Sequence, residues 1–223
     1  MKHSWNPGNK NKVMIKPKLL LLDLDDVLVD YSHSIRCRTL AEMTGATEKY
    51  VHDAVFTSGL EARSDRGEFD LDTYMDLLRS EWGLSIPGDD FITARKQATR
   101  MRPGMLKICE QLSEQVQLGI FSNNAHWLYQ NASQIVPELM PLFRQRFVCS
   151  GTLGAAKPEE FAFLQCVKRL GFAPHSTLFV DDKARNVEGA KLAGLDAFVF
   201  ETEEQFISEL SSRDLSTGTH NAY

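Results

Sequence analysis

The residues best suited to chemistry fall in four short polar clusters, each directly after an apolar run or at the start of a helical pattern. The first is Asp23-Leu24-Asp25-Asp26, which follows the unbroken Leu19 to Leu22. Burying unpaired carboxylates costs several kcal/mol, so acids that end an apolar strand must face solvent or a ligand, and a bound metal would offset the charge. The second cluster is Ser122-Asn123-Asn124 after Val116 to Phe121. Lys157-Pro158 opens a helical pattern, and Asp181-Asp182 closes the apolar run Thr177 to Val180. Carboxylates, a hydroxyl and an ammonium in this arrangement suit cleavage of a phosphate ester. That reaction needs a nucleophile, a proton for the leaving oxygen and cations to gather phosphoryl charge. Taken singly, the clusters have plainer readings: Ser122 and Asn123 would cap a helix starting near Ala125, Asp181 and Asp182 would cap the next one, and Lys157 would be a solvated charge.

The elements that must position these residues alternate along the chain. Lys18 to Leu22, Val116 to Phe121 and Thr177 to Val180 read as strands buried on both faces, with Phe147 to Cys149 and Ala197 to Phe200 as shorter candidates. Between them, Met105, Ile108 and Leu112; Phe161, Leu164 and Val167; and Val187, Ala190 and Ala193 form stripes at helical spacing. Such alternation predicts an α/β fold, a Rossmann-like parallel sheet with helices on both faces. Residues 31–102 break the rhythm, with helical patterns and no convincing strand. Leu71, Tyr74, Leu78 and Trp82 form one stripe, stopped by Gly83. The expected organisation is a core of 18–30 and 103–211, an all-helical cap over 31–102, and flexible tails at 1–17 and 212–223. In a parallel sheet the carboxyl ends of the strands lie on one edge, which brings the four clusters together under the insertion.

In their order, these motifs resemble those of the haloacid dehalogenase-like superfamily, helical-cap subclass, and among its members the small sugar-phosphate phosphatases. The match is carried by the DxD of Asp23-Leu24-Asp25, the Ser of Phe121-Ser122-Asn123, Lys157-Pro158-Glu159, and Val180-Asp181-Asp182 with Asn186 downstream. It runs from Lys18 to about Leu210. The resemblance assigns Asp23 as the nucleophile that forms an aspartyl-phosphate, and Asp25 as the acid and base serving the leaving oxygen and the attacking water. Mg²⁺ is the expected cofactor, held by Asp23, the main-chain carbonyl of Asp25 and Asp182, with Asp181 either a further ligand or an acid behind them. Ser122, the Asn123 amide and Lys157 are expected to bind phosphate. The chain departs from the commonest pattern at Asp26, where Gly or Asn often stands, and at Asn186, where a further acid is common. Asp25 itself argues against dehalogenation, which expels halide without a protonated leaving group.

The implied function is a Mg²⁺-dependent phosphomonoesterase acting on a small phosphorylated metabolite, either a sugar phosphate or a nucleotide. The alternatives are a phosphomutase, a receiver-like signalling module and a non-catalytic phosphate-binding protein. Substrate selection is expected in the cap, where Arg66 sits in the charged, Gly-containing stretch Arg63 to Glu68.

Composition narrows the partners. The chain has 223 residues, 43% hydrophobic and 25% charged, with net charge −5. Five lysines and no acid lie within Met1 to Lys18, so the remainder is strongly acidic, which disfavours nucleic acid. No run approaches the roughly 20 apolar residues needed to span a bilayer. The leader also lacks the apolar middle of a secretory signal, so the expectation is a cytoplasmic monomer or homodimer with no membrane partner. The four cysteines show no CxxC pair or zinc-type spacing and read as reduced, buried thiols.

Overall fold

The computed structural model describes residues 16–217. Five strands form a parallel sheet in the order β5-β4-β1-β6-β7: β1 Leu19–Leu22, β4 Gln117–Ser122, β5 Phe147–Cys149, β6 Thr177–Asp181 and β7 Asp196–Val199. All four leucines of β1 are fully buried, as the central strand of a doubly covered sheet requires. Their side chains alternate between two cores. Leu20 and Leu22 join Leu118, Ile120, Leu178 and Val180 on one face, while Leu19 and Leu21 pack with Phe121, Phe163 and Phe179 on the other.

Twelve α-helices are described: α1 His33–Thr44, α2 Glu48–His52, α3 Leu60–Asp65, α4 Leu71–Trp82, α5 Gly88–Gln97, α6 Pro103–Leu112, α7 His126–Gln130, α8 Ala132–Ile135, α9 Met140–Phe143, α10 Glu160–Leu170, α11 Ala184–Leu192 and α12 Glu203–Ser211. The first five, with a π-turn over Asp53–Thr57, make up the helical insertion. Local chemistry sets their ends: Ser32 and Asp70 cap α1 and α4 by accepting the Ile35 and Thr73 amides, and Gly83 stops α4 in the left-handed region. Tyr74 and Leu78 are completely buried, in keeping with the stripe read from the sequence.

Three expectations need correction. The segment 31–102 is flanked by strands after all. β2 Val29–Tyr31 and β3 Thr99–Met101 pair antiparallel as the two connections between core and insertion. Three residues each are too few for a hydrophobic alternation to register, which is why no strand was legible. The stripe assigned to α10 is rotated: Phe161 and Leu164 are exposed, and the buried face is Ala162, Phe163, Cys166 and Val167. The helix carries apolar residues on more than one face, so spacing alone did not choose between them. Finally, 212–217 is not a loose tail. Arg213 is buried and paired with Asp196 and Glu209, both at 2.6 Å, and Leu215 is 1% exposed. The expected N-terminal tail, apart from Lys16 and Pro17, and the chain beyond Thr217 lie outside the described residues. All four cysteines are free and buried.

Candidate active site

Strand register sets the site. Leu22, the last residue of β1, lies level with Ile120 of β4 and Val180 of β6; β6 ends one residue further on at Asp181 and β4 two further on at Ser122, so Asp23, Ser122 and Asp181 gather at one edge of the sheet. The Asp23 amide donates to Val180 O at 2.9 Å, and its own Oδ1 accepts the Leu24 amide at 2.7 Å. Asp26 then turns the chain with φ 63, a conformation Asp tolerates, and its amide donates to Val29 O.

Lys157, fully buried, reaches into this edge from the loop before α10. Its ammonium lies 2.8 Å from Asp23 Oδ1 and 2.7 Å from Asp181 Oδ2, and it donates to Phe121 O at 2.9 Å. Asn123 fixes the loop from the other side, donating to Lys157 O and accepting the Lys157 amide, both at 2.9 Å. The Asn123 side chain therefore braces Lys157. Asp181 is completely enclosed: besides Lys157 it accepts the Lys183 amide and both hydrogen bonds from Asn186 Nδ2, at 2.9 and 3.0 Å. The Asn186 departure from the family pattern supplies a donor to Asp181.

Electrostatics follow from the crowding. Burial pushes the Asp23 carboxyl well above the usual carboxylate range, against the pull of Lys157 and with the charges of Asp181 and Asp25 adding to it. Burial alone would raise Asp181 too, but the Lys157 charge and hydrogen bond, the Lys183 amide and Asn186 hold it below its ordinary value. Asp182 is raised by burial, with Lys183 opposing.

Oxygens of Asp23, Asp181 and Asp182 come within 4.8 Å of one another, and among the described residues Lys157 is the one ammonium buried with them. Among the described residues Asp182 Oδ1 is buried without a hydrogen-bond partner; the Lys183 ammonium stands 3.9 Å away. An excess of buried carboxylate and an acceptor with no donor fit a hard divalent cation, so the residues present suit the expected metal. The oxygens of Asp181 accept from the Lys157 ammonium, the Lys183 amide and Asn186 Nδ2.

Asp25 points the other way, toward the insertion. Arg95 of α5 donates to its Oδ1 at 2.6 Å and Asn124 to its Oδ2 at 3.2 Å. Asn124 also donates to Ser122 Oγ at 2.7 Å, tying the buried hydroxyl to the same network. Between this edge and the insertion lies a cavity of about 270 Å³, whose walls include Asp25, Tyr31, Phe56, Glu61, Asp65 and Arg95. Arg66 does not reach it. Half exposed, it follows α3 and pairs with Glu159 at 2.7 Å. Sequence reading missed Arg95, and it placed Asn124 in the second cluster without giving it a role. Arg95 stands 70 residues from its partner, within a helix, where no spacing rule links it to Asp25. What the cluster did not show is that the Asn124 amide joins Ser122 Oγ to Asp25, 99 residues away.

The chain is 27% identical over 134 residues to acyl-CoA dehydrogenase family member 10 of Mus musculus, covering 57% of this chain and 12% of that protein. It is 39% identical over 67 residues to a phosphatase of Mycobacterium tuberculosis, covering 28% of this chain and 31% of that one. It therefore spans well under two thirds of either curated relative. The fold is shared with a predicted HAD-like hydrolase of Porphyromonas gingivalis, with TM-score 0.73, 20% identity and 89% and 97% of the two chains covered. A HAD family enzyme of Bacteroides thetaiotaomicron, solved with magnesium and inorganic phosphate, gives TM-score 0.70 at 18% identity, covering 83% and 94%. A family model described as haloacid dehalogenase-like hydrolase matches residues 17–194, which is most of the chain. With the parallel sheet and the acidic strand ends already in view, that match makes the chain a member of the haloacid dehalogenase-like hydrolases.

Proposed function

We propose that this hydrolase is a Mg²⁺-dependent phosphomonoesterase that cleaves a small phosphorylated metabolite through an aspartyl-phosphate on Asp23. The observation that carries the reading is the division of labour between two carboxylates two residues apart. Asp23 is buried against Lys157 at the strand end, while Asp25 faces the cavity under the insertion. One side therefore serves the phosphoryl group and the other the leaving group.

In this reading Asp23 attacks phosphorus, and the oxygen–phosphorus bond to the alcohol breaks as Asp25 gives its proton to the departing oxygen. Asp25, then ionised, takes a proton from the water that attacks the aspartyl-phosphate, which restores Asp23 and releases inorganic phosphate. Ser122 Oγ and the Asn123 amide donate to phosphoryl oxygens, and Lys157 offsets charge on the phosphate and Asp23 together. Asp23, Asp182 and the Asp25 carbonyl would hold Mg²⁺, backed by Asp181. Bound there, the ion would supply positive charge to the phosphoryl oxygens.

The insertion serves as a cap over the leaving group. Its cavity wall mixes aromatic rings with polar and charged groups, which suits a sugar-sized alcohol. The test is phosphate release from sugar phosphates, nucleotides and an aryl phosphate, with Mg²⁺ or chelator, using the native protein beside Asp23→Asn and Asp25→Asn. Metal-dependent release lost in both variants is expected. Release that survives Asp23→Asn would remove the proposed nucleophile, and isomerisation without net phosphate release would make the chain a mutase.

A further inference from the structure

Arg95 is a fully buried arginine whose one ion pair among the described residues is with Asp25. It sits in the last turn of α5, which runs directly into β3, one of the two connections between insertion and core. Its guanidinium carbon lies 3.6 Å from the ring centroid of Tyr31, on the other connection, and this stacking holds the fork in place. Tyr31 is itself fixed, its hydroxyl accepting from Arg36 at 3.0 Å, and Arg36 is paired with Glu61 at 2.5 Å. A chain of packed groups within the insertion thus ends on one oxygen of Asp25. The other oxygen is held from the core by Asn124.

That geometry bears on rotamer choice. A carboxylate following a turn has several staggered positions open to it, and fixing one costs side-chain entropy at each turnover unless neighbours have fixed it already. A charge-assisted hydrogen bond from a rigid, stacked guanidinium does so. Displacement of a reacting group by about 1 Å is worth on the order of 100-fold in rate. Because the donor belongs to the insertion, Asp25 is held in this way only while the insertion is docked.

We propose that Arg95 is a positioning residue that fixes the Asp25 carboxyl toward the leaving oxygen, so that docking of the helical insertion completes the acid–base group. The inference rests on the reading of Asp25 as that group.

The experiment is a double-mutant cycle on Asp25→Asn and Arg95→Met, with Arg95→Lys beside it. Turnover is measured on glucose 6-phosphate, and the pre-steady-state burst on p-nitrophenyl phosphate, whose leaving group needs little protonation. Arg95→Met is expected to lower kcat on the sugar phosphate by roughly 10- to 100-fold, with KM changed less than about threefold. The nitrophenolate burst should change by less than about threefold, Arg95→Lys should recover part of the loss, and Arg95→Met should add nothing to Asp25→Asn. Thermal melts identify a variant that fails to fold; if Arg95→Met does, Arg95→Lys carries the same cycle. The proposal is overturned by native kcat in a folded Arg95 variant, by equal losses on burst and sugar phosphate turnover, or by losses that multiply in the double variant. Native turnover in Asp25→Asn would instead remove the acid–base reading, and the proposal with it.

Discussion

At the scale of single residues, the decisive question is how many charges the sheet edge buries and what balances them. Lys157 is enclosed between Asp23 and Asp181, and both charges hold its ammonium above the ordinary lysine value despite burial. Replacing it by Met removes the balance and leaves two buried carboxylates facing each other. In metal-free buffer at pH 7, Lys157→Met should lose about 3–5 kcal/mol of stability by urea unfolding, the cost typical of breaking a buried pair. The sign of the pH dependence follows. Without the ammonium, both carboxyls bind protons more tightly in the folded state than in the unfolded one, so the deficit should shrink as pH falls through the carboxylate range. A deficit independent of pH would mean that packing, and not charge, sets it. Residues of this kind were legible because Asp23, Ser122 and Asp181 each follow an apolar run, and the four clusters together outweigh the capping role that each could fill singly. Arg95 and the role of Asn124 were not, because both depend on Asp25 being brought close by folding.

At the scale of elements, the insertion meets the core across a contact with little slack. Gly67 has φ 77, and a Cβ added there would lie 2.0 Å from Gly151 O, while Ser150 Oγ donates to Asp65 O at 2.6 Å beside it. Backbone cannot withdraw as a flexible side chain would. Gly67→Ala should therefore separate the insertion from the core and cost about 1–3 kcal/mol of stability, through left-handed strain and lost contact. Turnover on a sugar phosphate should fall with it; retention of both by calorimetry and assay would show that the loops part freely. The two connecting strands carry a different device. Asp30 accepts from Arg102 at 2.7 Å and from Arg100 at 3.0 Å, and the Arg102 hydrogen bond, reinforced by Arg100, lowers its carboxyl below the ordinary value. A depressed folded value means that the stabilisation is complete above the unfolded carboxyl's range and disappears as pH falls through the folded one. Asp30 is 41% exposed, so screening limits the effect to about 0.5 kcal/mol. Asp30→Asn should be less stable than the native protein at pH 7 and equal to it near pH 3, and a gap that widens in acid would contradict the pairing. The same strands show the limit of sequence reading. The four consecutive leucines of β1 are unmistakable, whereas three-residue strands and the rotated face of α10 depend on which neighbours they meet.

For the whole molecule, the sheet separates two cores, and the chain's last described residues close one of them. Leu215 joins the core that holds Leu20 and Leu22, and Phe206 and Leu210 of α12 lie in the same cluster. Arg213 anchors the turn after α12 by its pairs to Asp196 of β7 and Glu209, and Gln115, beside β4, exchanges two hydrogen bonds with the Ser216 backbone. The segment thus ties the edge strand of the sheet to the loop entering its interior. Its composition, rich in Ser and Thr, reads as a tail because one leucine and one arginine give no periodicity; burial is decided by the shelf that α12 and β7 already form. Ending the chain after Ser212 removes a leucine worth about 1.5–3 kcal/mol and leaves Asp196 without its cation. The shortened protein should unfold about 2–4 kcal/mol sooner in urea while keeping the sheet edge that carries Asp23 and Lys157, so phosphate release at 25 °C should persist. Arg213→Ala alone should account for the smaller part of that loss, since Leu215 remains. If truncation left stability unchanged, the packing of 213–217 would contribute nothing, and the core around Leu20 and Leu22 would be closed by α12 alone.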